Sequence, residues 1–137
     1  MAPLTQKRLW LFGLILFLIP LGALTKYYDG LAASWVNDHL GDILYEIFWC
    51  IVGALCFPQT ATKKIITIVL ITTCSLEILQ LWQPTFLTTL RNTFIGHAIL
   101  GSNFDLWDFP HYALGCLIAF QCLNKINMPQ ESPHHSI

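Results

Sequence analysis

Five carboxylates stand where an apolar chain rarely places them. Asp42 and Glu46 are spaced i, i+4, and Asp105 and Asp108 are spaced i, i+3. Glu77 precedes Gln80 by the same three residues. On a helix such pairs share one face. Acids in a hydrocarbon environment are costly and normally look into a bundle interior or a wet cavity. Converging carboxylates can hold a cation or an amine, do general acid–base work when burial separates their proton affinities, or ligate a divalent metal through oxygen. The sequence therefore predicts a polar pocket formed by Asp42, Glu46, Glu77, Gln80, Arg91, Asp105 and Asp108, with Arg91 balancing Glu77 or orienting an anionic group.

Each of these residues also has a structural reading. Asp42 follows Gly41 and reads as a helix N-cap, as does Asp108 ahead of Phe109 and Pro110. Asp105 reads either way. Glu46 lies a turn further in. Glu77 sits near a helix C-terminus, where a negative charge opposes the helix dipole and calls for a partner. An ion pair with Arg91 would meet that need; a substrate, proton or cation site is the alternative. His97 and His111 read as interfacial residues rather than metal ligands, and His39, His134 and His135 as solvated ones. The sequence points to no resident metal and names no cofactor.

The elements that must carry these residues are set by composition. The 137 residues are 55% hydrophobic and 11% charged, against roughly 25% charged in soluble domains. Mean hydropathy is +0.57. Such a chain cannot coat its own apolar surface in water, but a bilayer removes the need. The expected fold is all-α, a transmembrane bundle of about four spans at about residues 9–24, 40–57, 65–82 and 106–123. A single domain would cover residues 1–128, with a disordered tail at 129–137. The first span resembles a cleaved leader, but no small-x-small site follows it. Pro20 is expected to kink or end it. Residues 32–40 read as an amphipathic interfacial helix leading into the second span. Residues 91–101 are too short to cross. They are expected to lie on the surface or to re-enter the membrane under cover of the other helices.

Charge then orients the bundle. With both termini in the cytoplasm, Lys7, Arg8, Lys63, Lys64 and Lys125 fall inside and Lys26 and Arg91 outside. Seven of the eight acids then lie toward the outer face, and Glu131 alone lies inside. Trp10 would mark the inner interface, and Tyr27, Tyr28, Trp35, Trp82 and Trp107 the outer one. The expected location is a cell inner membrane. The net charge of −1 and the short basic pairs give no support for nucleic-acid binding. The five cysteines form no C-x-x-C pair and read as small buried hydrophobes.

One pattern extends this reading. Glu77-x-x-Gln80, Arg91, the glycine-bearing stretch from Gly96 to Gly101, Phe104-Asp105-x-x-Asp108 and Tyr112-x-x-Gly115 follow in that order. The order resembles the VanZ-like membrane proteins, and most closely a bacterial branch known as a domain of unknown function. The resemblance covers about residues 9–124. It implies a small multi-pass inner-membrane protein. Where those proteins commonly carry asparagine four residues after the last aspartate, this chain has Tyr112, which weakens the transfer of a VanZ-type role in glycopeptide tolerance.

Three functions fit the sequence. The first is a binding or transport-accessory protein whose acidic pocket takes a cation, an amine or a polar lipid headgroup. The second is a structural subunit of a larger membrane complex or a homo-oligomer, with the polar set as internal glue. The third is an enzyme acting on a lipid-linked substrate, although no HExxH, nucleophile elbow or P-loop is present. Membrane lipid is the expected partner in each.

Overall fold

A computed structural model describes residues 4–100 and 104–127. These residues form six helices and, as described, no strand: α1 Leu4–Thr25, α2 Ala33–Cys56, α3 Thr62–Leu79, α4 Thr85–Arg91, α5 Phe94–Leu100 and α6 Asp108–Asn127. The tail at 129–137 and Gly101 lie outside the described residues.

Two helices are long and apolar enough to cross a membrane: α1, with 22 residues, and α2, with 24. At about 1.5 Å per residue they extend for about 33 and 36 Å, against a hydrocarbon core of about 30 Å. α3 has 18 residues and α6 has 20. Their apolar runs are interrupted by the polar residues that build the site.

Three element boundaries differ from the sequence expectation. α1 does not end at Pro20 but continues to Thr25. A proline removes one N–H from the helical ladder and leaves the other bonds intact. Residues 33–40 are not a separate interfacial helix; they are the first turns of α2. The polar run Asn37-Asp38-His39 interrupts the apolar pattern, but the helical backbone passes through it as a π-helical turn at Val36–Leu40. Ahead of α2 the chain reverses at Ala32, whose φ of 57° is left-handed. Residues 85–100 form two short helices. Phe94 is 89% exposed and Ile95 is 69% exposed, so α5 turns these side chains outward and the bundle does not cover them.

α2 is the central helix. It packs against α1, α3 and α6. The buried core joins Leu11 and Leu18 of α1, Ile43, Ile47, Cys50, Ile51 and Ala54 of α2, Ile65 of α3, and Cys116, Ala119 and Leu123 of α6. These positions on α2 recur at three- and four-residue intervals, the spacing of one helical face. Gly53 lets α2 close on α3: a Cβ there would lie 2.8 Å from Ile65 Cγ2. Gly115 does the same for α6, where a Cβ would lie 2.8 Å from both Ile43 O and Glu46 Cβ. Small residues at such crossings let helix backbones approach closely.

The ends of the bundle are tied differently. At one end Asn127 Nδ2 donates to Thr62 Oγ1 at 3.1 Å, joining the end of α6 to the start of α3. At the other end, Lys26 Nζ donates to Asn37 O at 2.7 Å and Asn37 Nδ2 donates to Tyr28 O at 3.1 Å. These two bonds fix the 26–30 turn against the start of α2. Much of α1 faces outward, with Leu9, Trp10, Phe12, Leu16 and Phe17 all exposed. A soluble monomer seldom presents an apolar face of this extent.

Candidate functional site

The acids divide into an interior pair and a cleft group. Glu46, fully buried on α2, accepts from Thr73 Oγ1 of α3 at 3.0 Å and from Cys116 Sγ of α6 at 3.2 Å. Both bonds end on Oε1, and Oε2 has no partner among the described residues. Glu77, 1% exposed on α3, is more fully held. Its Oε1 accepts the Asp105 backbone N–H at 2.8 Å. Its Oε2 accepts from Tyr112 Oη at 3.1 Å and from Gln80 Nε2 at 3.4 Å. Glu77 therefore joins α3 to the segment before α6 and to α6 itself. A carboxylate with this many donors is a lock between helices.

Arg91 does not pair with Glu77. It is 5% exposed and its guanidinium is turned to the C-terminal end of α3. Nη2 donates to Leu79 O at 3.1 Å, and Nη1 donates to Trp82 O at 3.1 Å and to Gln83 Oε1 at 3.3 Å. The last carbonyls of a helix have no partner within it, and a cation at that end also meets the negative pole of the dipole. Those carbonyls take Arg91, leaving Glu77 to neutral donors. The expected ion pair is thus replaced by a C-terminal clamp, and Arg91 stands apart from the other candidate residues.

Four further acids line a cleft of about 740 Å³ between α1, α2, α3, α5 and the start of α6. Asp38, Asp42, Asp105 and Asp108 line its polar end together with Lys26 and His97. Leu18, Leu44, Phe48, Trp49 and Leu76 line its apolar part. Gln80 is also at the wall: Nε2 donates to Leu100 O at 3.0 Å, while Oε1 has no partner among the described residues. Asp42 is no N-cap, because α2 has already run for two turns before it and no side-chain cap bond forms there. Asp105 does the local turn work expected of Asp108: its Oδ1 accepts the Trp107 N–H at 3.0 Å.

His39 is the residue that the sequence reading left in solvent. The π-helical turn places it one helical step before Asp42, with Nδ1 4.0 Å from Asp42 Oδ2 and 4.0 Å from Asp108 Oδ1. Such turns often occur at functional sites, where the extra residue rotates the register. The ring stacks on His111, with centroids 4.4 Å apart and planes 7° apart. His111 is in turn fixed at both nitrogens: Nδ1 lies 2.6 Å from Trp107 O, and Nε2 accepts from Trp35 Nε1 at 3.3 Å. The available signal was the spacing of His39 and Asp42, i, i+3, which shares a face only once α2 begins at Ala33 rather than near Leu40.

Residues 31–116 match the model of a family described as a protein of unknown function, DUF2809. That is more than half of the chain. The chain belongs to the DUF2809 family. The DUF2809 region runs from the turn before α2 to the middle of α6. It holds Asp38, His39, Asp42, Glu46, Glu77, Gln80, Arg91, Asp105 and Asp108, and leaves out α1 and the Lys26 that follows it. No curated protein and no solved structure matches the chain.

Proposed function

We propose that this DUF2809 chain is a multi-pass membrane protein that binds a cationic group in its acidic cleft, as a binding or transport-accessory protein. The observation that carries the reading is the excess of acids over basic residues in the cleft. Four aspartates reach it from the first turns of α2 and from the segment that opens α6, while the one buried arginine is spent on carbonyls elsewhere. Lys26 is the basic chain at the wall among the described residues, and its Nζ donates to Asn37 O. The volume lies within the usual range for small-ligand sites, about 300–1,000 Å³. The apolar part suits an acyl chain and the acidic end suits an amine or metal cation, so an amine-bearing lipid fits as well as a free cation.

In this reading α1, α2, α3 and α6 all cross a bacterial inner membrane with both termini cytoplasmic. The five basic residues near one end against two near the other support that orientation. The cleft then opens toward the outer face. A second reading, a subunit or homo-oligomer docking through membrane-facing surfaces, is favoured by the exposed Leu9, Phe12, Leu16 and Phe17 on α1. In a bilayer these residues meet lipid equally well.

The test is a ligand panel on the purified full chain in lipid nanodiscs, read by thermal unfolding. The panel holds Zn²⁺, Mg²⁺, spermidine, and nanodiscs of phosphatidylethanolamine or phosphatidylglycerol. At least one cationic member should stabilise the wild type, and the D42N/D108N chain should lose that response while D29N keeps it. No response to any member, or an unchanged response in D42N/D108N, overturns the reading.

A further inference from the structure

Within that cleft, and resting on its reading as a cation site, we infer that His39, Asp105 and Asp108 hold one divalent transition-metal ion. One potential ligand atom from each of the three lies within 4.8 Å of the others. The gaps between His39 Nδ1 and the carboxylates of Asp42 and Asp108, 4.0 Å each, are too long for hydrogen bonds. Two ligands on one tetrahedral ion, with bonds of about 2.0–2.2 Å, lie about 3.3–3.6 Å apart, so His39 and Asp108 would close by about 0.5 Å and the set of three by up to about 1.5 Å to hold an ion.

The surroundings prepare the donors. Stacking on His111 fixes the plane of the His39 ring, and His111 is withdrawn from ligation because both of its nitrogens are engaged. His39 Nδ1 is shielded from solvent and has no hydrogen-bond partner among the described residues. Asp105 is held through both backbone and side chain: its N–H donates to Glu77 and its Oδ1 accepts from Trp107, leaving its second carboxylate oxygen for a ligand. A separate observation also points to a guest. Gln80 is 6% exposed and lines the same cleft, yet its Oε1 has no partner among the described residues. A buried amide oxygen is seldom left unsatisfied. A water or headgroup donor on the bound ion would supply one.

The donor types select the ion. Calcium and magnesium prefer oxygen throughout, whereas one imidazole nitrogen with two carboxylate oxygens suits zinc, manganese, iron or cobalt.

The experiment is equilibrium dialysis of the full chain in nanodiscs against Zn²⁺, and against Co²⁺ with its visible absorption recorded. The background carries H134A and H135A, so that the other histidine pair does not contribute. One ion per chain is expected, together with a Co²⁺ spectrum that shows nitrogen ligation. H39Q and D108N should each weaken binding by at least the roughly 10–100-fold that loss of an outer-sphere partner costs. Size-exclusion profiles and spermidine response report whether each variant still folds. Unchanged Zn²⁺ affinity in a folded H39Q chain overturns the metal site. So does spermidine binding without Zn²⁺ binding, and that result leaves the cation cleft standing. Failure of every cation overturns both.

Discussion

Glu77 and Asp108 lie at the same end of the bundle but in different surroundings. Glu77 accepts from a backbone N–H, a phenol and an amide, and is 1% exposed. Asp108, partly open to the cleft, has His39 Nδ1 at 4.0 Å and both Asp42 and Glu77 itself beside it, and it lacks the donors that Glu77 has. The supply of donors separates the two. A buried carboxylate with its acceptor sites filled contributes to stability and has little capacity left for a ligand. A carboxylate grouped with other acids adds repulsion to the folded state, which a bound cation would relieve. Sites that serve function are commonly local departures from the most stable arrangement. The contrast teaches that an acid on an apolar helix is to be judged by the donors facing it, not by its depth.

The sharpest way to break that contrast is Glu77→Ala. It strands the Asp105 N–H and the Tyr112 hydroxyl and leaves the Gln80 amide only its bond to Leu100 O, and each buried donor left unpaired costs about 1–3 kcal/mol. Unfolding in detergent followed by helicity should show the largest loss of the series, up to failure to fold. A variant as stable as E131Q would end the description of Glu77 as a lock. Arg91→Ala comes next. It uncaps Leu79 O and Trp82 O, so a loss of about 2–3 kcal/mol is expected. Cation binding in the cleft should survive it, because Arg91 does not line the cleft. Loss of binding in a well-folded R91A chain would place Arg91 back in the site. Gly115→Ala follows. Its Cβ would meet Ile43 O and Glu46 Cβ at 2.8 Å, and overpacking of this kind costs about 1–3 kcal/mol. Equal melting points of G115A and wild type would show that the α2–α6 crossing is looser than described.

The long helices were legible in the sequence because their apolar runs are nearly continuous. α1, α2, α3 and α6 each overlap a run identified from composition. The start of α2 was not legible, because backbone hydrogen bonding carries a helix through Asn37, Asp38 and His39 without regard to their polarity. The polar pairs Asp42–Glu46 and Asp105–Asp108 were visible, but their separation into lock and cleft was not. That separation depends on Thr73, Cys116 and Tyr112, residues on other helices with nothing unusual in their own sequence context. Arg91 illustrates the same limit. Opposite charge suggested Glu77 as its partner, yet a helix terminus offers a cation several carbonyl oxygens at once, and those of α3 lie within its reach. His39 carries no mark of the cleft in the sequence, because its face is defined only when the π-helical turn joins it to Asp42.

The smallest effect, and the finest test of the contrast, is Asp108→Asn. The amide is nearly the size of the carboxylate it replaces, so packing against α2 is kept. It removes one carboxylate from a group in which Asp42, Asp105 and Glu77 are neighbours. Like charges at close range destabilise by a few tenths of a kcal/mol on exposed helix surfaces and by more where water is scarce. The D108N chain in metal-free buffer should therefore unfold no earlier than wild type, and slightly later at low salt, where screening is weakest. Added Zn²⁺ should reverse the order, stabilising wild type past the variant by an amount that grows with ligand concentration. The two melting curves should cross as Zn²⁺ is titrated. A D108N chain clearly less stable than wild type without metal would make Asp108 a lock like Glu77, and the distinction between the two carboxylates would be lost.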